Sequence, residues 1–94
     1  MPNITSATLD NVFSYHVPTL DQCDRYVQLR SAAKEFARLV LTSTPFSREQ
    51  ATALTNIQQA IMWANAAIAL NEPDANAVRE MEQVKNESEV PLTS

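Results

Sequence analysis

The sequence predicts an all-α fold: an antiparallel hairpin of two long helices, preceded by a short N-terminal helix and assembling as a homo-oligomer. Three observations carry this prediction. The 94 residues contain no glycine, which removes the residue that tight β-hairpin turns most need. They contain 13 alanines, and alanine is the best helix former. Two long segments also repeat apolar residues at alternating steps of three and four, which is the rhythm of a helical seam.

The first long helix is predicted over residues 20–43. Thr19 and Gln22 have the spacing of a capping box, in which a threonine and a glutamine three positions later satisfy the free amides of a helix start. Pro45 disfavours helical geometry at the residue before it and therefore sets the far end. The seam between these limits consists of Tyr26, Leu29, Ala33, Phe36 and Val40.

The second long helix is predicted over residues 48–70. Ser47 and Gln50 form a second capping-box pattern, and Phe46 stands in the staple position facing Ala51. A connection this short between helices of matched length indicates an antiparallel hairpin. The helix stops at Glu72-Pro73, and its seam consists of Leu54, Ile57, Ile61, Ala64 and Ile68.

The flanking segments are expected to be less ordered than the hairpin. Residues 1–9 are predicted to be a flexible lead, and residues 10–16 a short helix that Pro18 ends. After Pro73, Asp74 can cap a weak helix, and residues 86–94 are predicted to be disordered. The chain is therefore interpreted as one domain, with a core over about residues 10–71 and an acidic, partly disordered tail over 72–94.

Charge and composition exclude several functions. The net charge is −4, and the six acids and two bases after residue 71 account for that value, so long duplex nucleic acid is an unfavourable partner. His16 and Cys23 are too few soft ligands for a structural zinc site, and no cofactor is expected. No carboxylate pair or activated nucleophile is visible, so no enzyme activity and no catalytic residue are predicted. The most apolar run, residues 60–70, is too short to span a bilayer, and the start of the chain lacks signal-peptide features, so a cytoplasmic location is expected.

Self-association is the expected route to a stable core. A two-helix hairpin has one seam, yet the second helix is apolar well outside it, and a helix that is apolar on most sides is buried on most sides. Other copies of the chain are the expected cover. The alternative is that the N-terminal segment and the third helix fold back and close the core. The apolar residues outside the seam are Ala53, Ala60, Trp63, Ala66, Ala67 and Ala69.

Two groups of residues are candidates for anion and base recognition. Arg30, Lys34 and Arg38 are spaced four apart, which places them on one helix face where they can pair with phosphates. The alternative for this stripe is a solvated face that pairs with Glu35 or with a neighbour's acid. Among the aromatic residues, Tyr15 is the best candidate for an exposed stacking platform, because Tyr26 and Trp63 are expected to be core residues.

Four further residues are weaker candidates. His16, beside Tyr15, can donate to a phosphate or a base. Arg48 lies at a helix N-terminus, where free amides and the helix dipole favour an anion. Thr55 and Asn65 are polar among apolar neighbours, and such residues more often satisfy a helix–helix hydrogen bond than bind a ligand.

The hairpin segment resembles a phage family of small helical-hairpin proteins that act as anti-CBASS cyclic-nucleotide sponges and share this domain with some anti-Thoeris sponges. The resemblance covers roughly residues 10–71, and the tail after Pro73 has no counterpart. The motifs that carry it are Arg25-Tyr26-x-x-Leu29-Arg30-x-Ala32-Ala33-Lys34-Glu35-x-Ala37, Pro45-x-Ser47-Arg48-Glu49, Ala53-Leu54-Thr55-x-Ile57-x-x-Ala60 and Met62-Trp63-Ala64-Asn65-Ala66-Ala67-Ile68-Ala69.

The resemblance implies a homohexamer that sequesters cyclic oligonucleotide messengers of host defence without cleaving them. Cyclic dinucleotides are held between protomers through aromatic stacking and basic contacts to phosphates, and cyclic trinucleotides occupy separate sites. Carried to this sequence, it implies Tyr15 as the platform and Arg30 and Lys34 as phosphate contacts, with Arg48 and Thr55 as weaker candidates. The alternative reading is a structural or protein-interaction helical oligomer without a nucleotide ligand.

Overall fold

The computed structural model describes residues 4–89, and these form four helices. The described part of the chain contains no strand and no residue with positive φ, as expected for an all-helical chain without glycine. The predicted all-helical class is therefore confirmed. The helices are α1 (Ser6–Val12), α2 (Leu20–Ser43), α3 (Arg48–Asn71) and α4 (Ala75–Glu89).

Helices α2 and α3 pack against each other and form the predicted hairpin. Helix α2 has the predicted bounds, and α3 is one residue longer than predicted. The Thr19 capping box is complete: the Thr19 hydroxyl accepts from the Gln22 amide, and the Gln22 side chain accepts from the Thr19 amide at 3.0 Å. The proline and capping signals were sufficient to place the long helices because each acts locally.

The connection between α2 and α3 differs from the prediction in two respects. Ser47 does cap α3, but the Gln50 side chain does not return to Ser47. It donates instead to the carbonyl oxygens of Leu41 at 3.2 Å and Thr44 at 3.0 Å, which are groups that the end of α2 leaves unpaired. The staple prediction is wrong, because Phe46 is 99% exposed.

Both flanks are more helical than the sequence indicated. The expected helix over residues 10–16 is wrong in position: α1 begins four residues earlier, because the Thr5 hydroxyl caps it by accepting from Thr8. Residues 13–19 are a loop, so Tyr15 and His16 follow α1 rather than belong to it. Helix α4 continues to Glu89, so residues 86–89 are not the disordered segment expected, and residues 90–94 lie outside the described part.

A single chain does not bury its apolar side chains. In the described residues no hydrophobic side chain is buried, and the buried residues are Gln22 at 3% exposure and Gln50 at 8%. The radius of gyration is 19.8 Å, whereas a compact chain of this length has about 12 Å. The accessible surface is 7911 Å², against roughly 5,400 Å² for a compact monomer of this mass.

Two expectations about the core are affected by this open shape. Trp63 is 74% exposed in the single chain, so its expected place in the core depends on cover from other copies, while Tyr26 is half-buried. The alternative in which the N-terminal segment and α4 close the core over the hairpin is wrong. Both segments lie at one end of the hairpin and leave its middle open.

Candidate ligand-binding surfaces

One face of the hairpin carries an open apolar groove of about 650 Å³. Most of its lining is alanine and large aliphatic or aromatic side chains, and Asn56 is its one polar lining residue. Small alanine side chains on both helices allow another helix to approach the groove floor closely. This face therefore suits protein packing better than an anion. The groove is lined by Leu29, Ala32, Ala33, Phe36, Val40, Ala53, Asn56, Ile57, Ala60 and Ile61.

The opposite face carries a smaller groove of about 310 Å³ with a basic edge, here called the basic groove. Arg30 and Lys34 lie along one side of it, and Leu54, Ile57 and Met62 belong to its apolar lining. Both basic side chains are exposed, and neither forms an ion pair with the side chains that the structure describes. A groove that combines apolar walls with free positive charge can hold an organic anion.

The alternative expected for the basic stripe applies to one of its three members. Arg38 donates to Glu35 at 2.7 Å, and that carboxylate is therefore engaged by Arg38 rather than by Lys34. An exposed pair of this kind contributes little to stability. The prediction of one basic stripe thus divides into a self-paired Arg38 and two residues whose charge is available.

A third groove, of about 320 Å³, shares Arg30 with the basic groove. It is also lined by Tyr26 and Asn65, with Ala66 and Ala69. The Asn65 side-chain oxygen is buried and accepts no hydrogen bond from the described residues. A buried acceptor without a donor costs free energy, so this oxygen is suited to receive one from outside the chain. The interpretation of Asn65 as a helix–helix hydrogen-bonding residue is not supported for this atom.

Tyr15 and His16 lie in the loop between α1 and α2 but differ in their surroundings. Tyr15 is 83% exposed, which leaves its ring available for stacking. The partly buried His16 ring faces chain groups on both sides: Nε2 is 2.7 Å from the Asn11 carbonyl oxygen, and Nδ1 is 3.7 Å from a carboxylate oxygen of Asp74.

The same end of the hairpin holds a polar cluster that the sequence pattern did not reveal. The Arg25 guanidinium makes a two-pronged contact with the Glu72 carboxylate, at 2.9 and 2.5 Å, and also donates to Asp21 at 2.9 Å. The side-chain amide of Gln22 donates to the Glu72 carboxylate at 3.3 Å and to the Pro73 carbonyl oxygen at 3.2 Å. The cluster ties α2 to the segment that leads into α4. An acid just before a helix-ending proline was a signal that could have drawn attention to Glu72.

This cluster shifts the titration of both ionic partners. Hydrogen bonds from Arg25, and then from Gln22, lower the pKa of Glu72 to about 2, and partial burial opposes the shift. The hydrogen bond to Glu72 raises the pKa of Arg25 above its ordinary value. Both groups therefore stay charged at neutral pH. Since each is committed to the other, Arg25 is not a free anion contact.

The two remaining candidates lie away from the basic groove. Arg48 belongs to a shallow groove of about 450 Å³ at the start of α3, together with Glu49, Thr52 and Asn56. Thr55 is exposed and lines neither this groove, nor the apolar groove, nor the two grooves that share Arg30. Among the side chains that the structure describes, no group of acidic, cysteine and histidine residues could hold a metal ion.

The structure thus brings together Arg30 and Lys34 but not Tyr15. Arg30 lies ten residues into α2, which places it about 15 Å along the helix axis from Leu20, near the Tyr15 loop. Neither of the two grooves that Arg30 lines contains Tyr15.

These features define a class of protein: an all-helical hairpin whose open grooves leave apolar surface and basic charge for partners. Comparison with known proteins gives the family. The family model described as "Acb2/Tad1, hairpin domain" matches residues 5–69, and the chain belongs to this anti-CBASS and anti-Thoeris sponge family.

Family membership implies a phage cyclic-nucleotide sponge role, since the family consists of binding sponges rather than enzymes. Neither the curated proteins nor the solved structures contain a match to the chain. Across residues 4–89, every helix is too short or too polar to cross a membrane.

Proposed function

We propose that this protein assembles into a homo-oligomer and sequesters cyclic di- and trinucleotide messengers of host defence without cleaving them, and thereby blocks CBASS-type immunity in the host bacterial cytoplasm. The observation that carries the proposal is the pair Arg30 and Lys34, exposed and free of ion pairs at the edge of an apolar groove. The groove lies within the residues that match the sponge family.

The chemistry of a cyclic dinucleotide fits this surface. The ligand presents two phosphates and two base faces, and a two-fold interface presents every residue twice. One arginine and one tyrosine from each protomer then supply two ion pairs and two stacking contacts. Arg30 matches a phosphate with its forked donors, and Lys34 adds a point charge on the same helix face.

The open shape of the single chain supports assembly. With no hydrophobic side chain buried among residues 4–89, the apolar groove on the face opposite Arg30 is left for other copies to cover. Tyr15 lies outside both grooves that Arg30 lines, which is compatible with a site shared between protomers. Six copies is the number that the family resemblance implies.

Secondary candidates complete the proposal. Arg48 and Thr55 lie outside the basic groove, so they are candidates for separate sites, such as those for trinucleotides. His16 remains a candidate for direct contact. The buried Asn65 oxygen is a further candidate, because it can accept from a base N–H beside Arg30.

The proposal is tested by titration calorimetry with a panel of cyclic di- and trinucleotides. Arg30→Ala is expected to weaken dinucleotide binding by roughly 10- to 100-fold, since a hydrogen bond to a charged group contributes about 1.5–3 kcal/mol. Tyr15→Ala is expected to weaken binding by at least about 5-fold through loss of stacking. Both variants should keep the oligomer mass. Arg79→Ala, which removes an exposed base on α4, is the matched control.

Other outcomes are equally informative. Unchanged affinity in both variants would reject these residues as the pocket. A binder raises the melting temperature of the folded form, so no shift across the whole panel would favour the alternative, a helical oligomer that binds a protein partner. Ligand recovered intact after denaturation distinguishes sequestration from cleavage.

A further inference from the structure

The loop that carries Tyr15 is anchored to α4, a helix outside the residues that match the family. The Val17 carbonyl oxygen accepts from the Ala75 amide at 2.7 Å, at the first turn of α4. His16, next to Tyr15, has its Nδ1 atom 3.7 Å from Asp74. Asp74 in turn accepts from the Ala77 amide at 2.8 Å and so caps α4. Tyr15 is thus followed by two consecutive residues that contact the start of α4.

The loop is also tied to the end of α3 through α1. His16 Nε2 lies 2.7 Å from the Asn11 carbonyl oxygen, and the Asn11 side chain donates to the Leu70 carbonyl oxygen at 3.0 Å. A carbonyl oxygen only accepts, so Nε2 must carry the proton in this contact. The other ring nitrogen, Nδ1, faces the Asp74 carboxylate.

We propose that α4 is a brace for the Tyr15 platform, with His16 and Asp74 as its positioning residues. The proposal rests on the proposed function insofar as Tyr15 stacks on the ligand. An exposed aromatic ring on an unanchored loop would lose conformational entropy on binding, and the brace removes part of that cost in advance. The start of α4 therefore positions the binding loop without contacting the ligand, although it lies beyond residue 69.

The contacts of the His16 ring come from both sides of the loop. From α4 the ring faces the Asp74 carboxylate, and from α1 it faces the neutral Asn11 carbonyl oxygen. No charged side chain of α2 or α3 contacts the ring in the described residues. Together with the hydrogen bond between Ala75 and Val17, these two contacts are what hold the loop against α4.

Two variants separate the brace from direct contact between His16 and the ligand. Asp74→Asn keeps a capping side chain for α4 but removes the carboxylate that faces His16. His16→Gln keeps a donor for the Asn11 carbonyl oxygen but removes the ring nitrogen that faces Asp74. Calorimetry with a cyclic dinucleotide is expected to show about two- to five-fold weaker binding in both variants than in the wild type, the range of a single weak polar contact. Wild-type affinity in Asp74→Asn together with weaker binding in His16→Gln would show that His16 acts on the ligand directly and would overturn the brace.

A ligand-free measurement keeps this test independent of the proposed function. Asp74→Ala is expected to increase hydrogen exchange at the Ala75 amide, which donates to the Val17 carbonyl oxygen, and the control Glu80→Gln, an exposed acid on α4, to leave it unchanged. Exchange in Asp74→Ala equal to the wild type would overturn the brace even if the sponge proposal holds. Conversely, faster exchange with no nucleotide bound by the wild type would sustain the brace and reject the sponge.

Discussion

The middle of the hairpin and its two ends are held by different interactions. Both ends are polar: Gln22 with Arg25 and Glu72 at one end, and Gln50 with the carbonyl oxygens of α2 at the other. The middle is lined by alanine and aliphatic side chains that stay half-buried or exposed. The polar groups at the two ends find hydrogen-bonding partners within one chain, whereas the apolar side chains in the middle need cover from another molecule.

This difference indicates that the polar and the apolar contacts contribute to the structure in different ways. The polar ends fix the register of α2 against α3, since hydrogen bonds are directional and a shift along the axis breaks them. Apolar burial is non-directional and supplies most of the driving force for folding and association. A single chain therefore has a defined shape but little apolar burial.

The largest effect is expected from a charge placed in the middle. Ala60→Glu introduces a carboxylate into the floor of the apolar groove. If another copy covers that groove, the charge is buried without a partner, which costs about 3–5 kcal/mol. We expect association to weaken by at least on the order of 100-fold, measured as the mass in sedimentation velocity.

The control for this prediction lies one residue away. Gln59 is exposed and lies outside the groove, so Gln59→Glu adds the same charge to the same helix and should leave the mass unchanged. An unaltered mass for Ala60→Glu would mean that the apolar groove is not the surface through which the chains associate.

A smaller effect is expected at the turn. Gln50→Ala removes the amide that donates to the Leu41 and Thr44 carbonyl oxygens. Leaving such groups unpaired costs roughly 1–3 kcal/mol, and 1 kcal/mol corresponds to about 4–8 °C for a domain of this size. We expect a lower melting temperature at fixed protein concentration, with Gln59→Ala as control. Equal melting temperatures for the two variants would show that the turn amide contributes nothing.

The smallest effect is expected from acid at the other end. The pKa of Glu72 is about 2 in the folded protein against an ordinary 4.5, so the unfolded chain takes up the proton first. Its contribution to stability is complete above about pH 4.5 and is lost as the pH falls toward 2. Glu72→Gln should therefore be less stable than the wild type at pH 7, and the difference should close by pH 2. A difference independent of pH would contradict this.

The long helices could be predicted because capping residues and prolines, which act locally, set their limits. The Thr19 box and Pro45 bound α2, and Ser47 and Pro73 bound α3 to within one residue. Their seams share an alternating three–four spacing, which was enough to pair them as a hairpin. The shared face of Arg30 and Lys34 was also predictable from their spacing of four, but their freedom from ion pairs was not.

The remaining features depend on contacts that the sequence does not display. The Gln50 side chain bonds to the end of α2 rather than to Ser47, because unpaired carbonyl oxygens there lie within hydrogen-bonding distance. Trp63 is exposed because nothing in one chain covers that side of α3. The link between His16 and Asp74 joins residues 58 positions apart, which spacing along one helix cannot predict.

Within the described part of the chain, both buried side chains are glutamines at the third position of a long helix. Each donates from a neutral amide to a backbone carbonyl oxygen, Gln22 to Pro73 and Gln50 to Thr44, so these two hydrogen bonds involve no charge that salt screens or pH titrates. The open middle of α2 and α3 takes no part in them. Substitutions there can therefore change the surface that the chain offers to a partner while the two glutamines keep the helices in place.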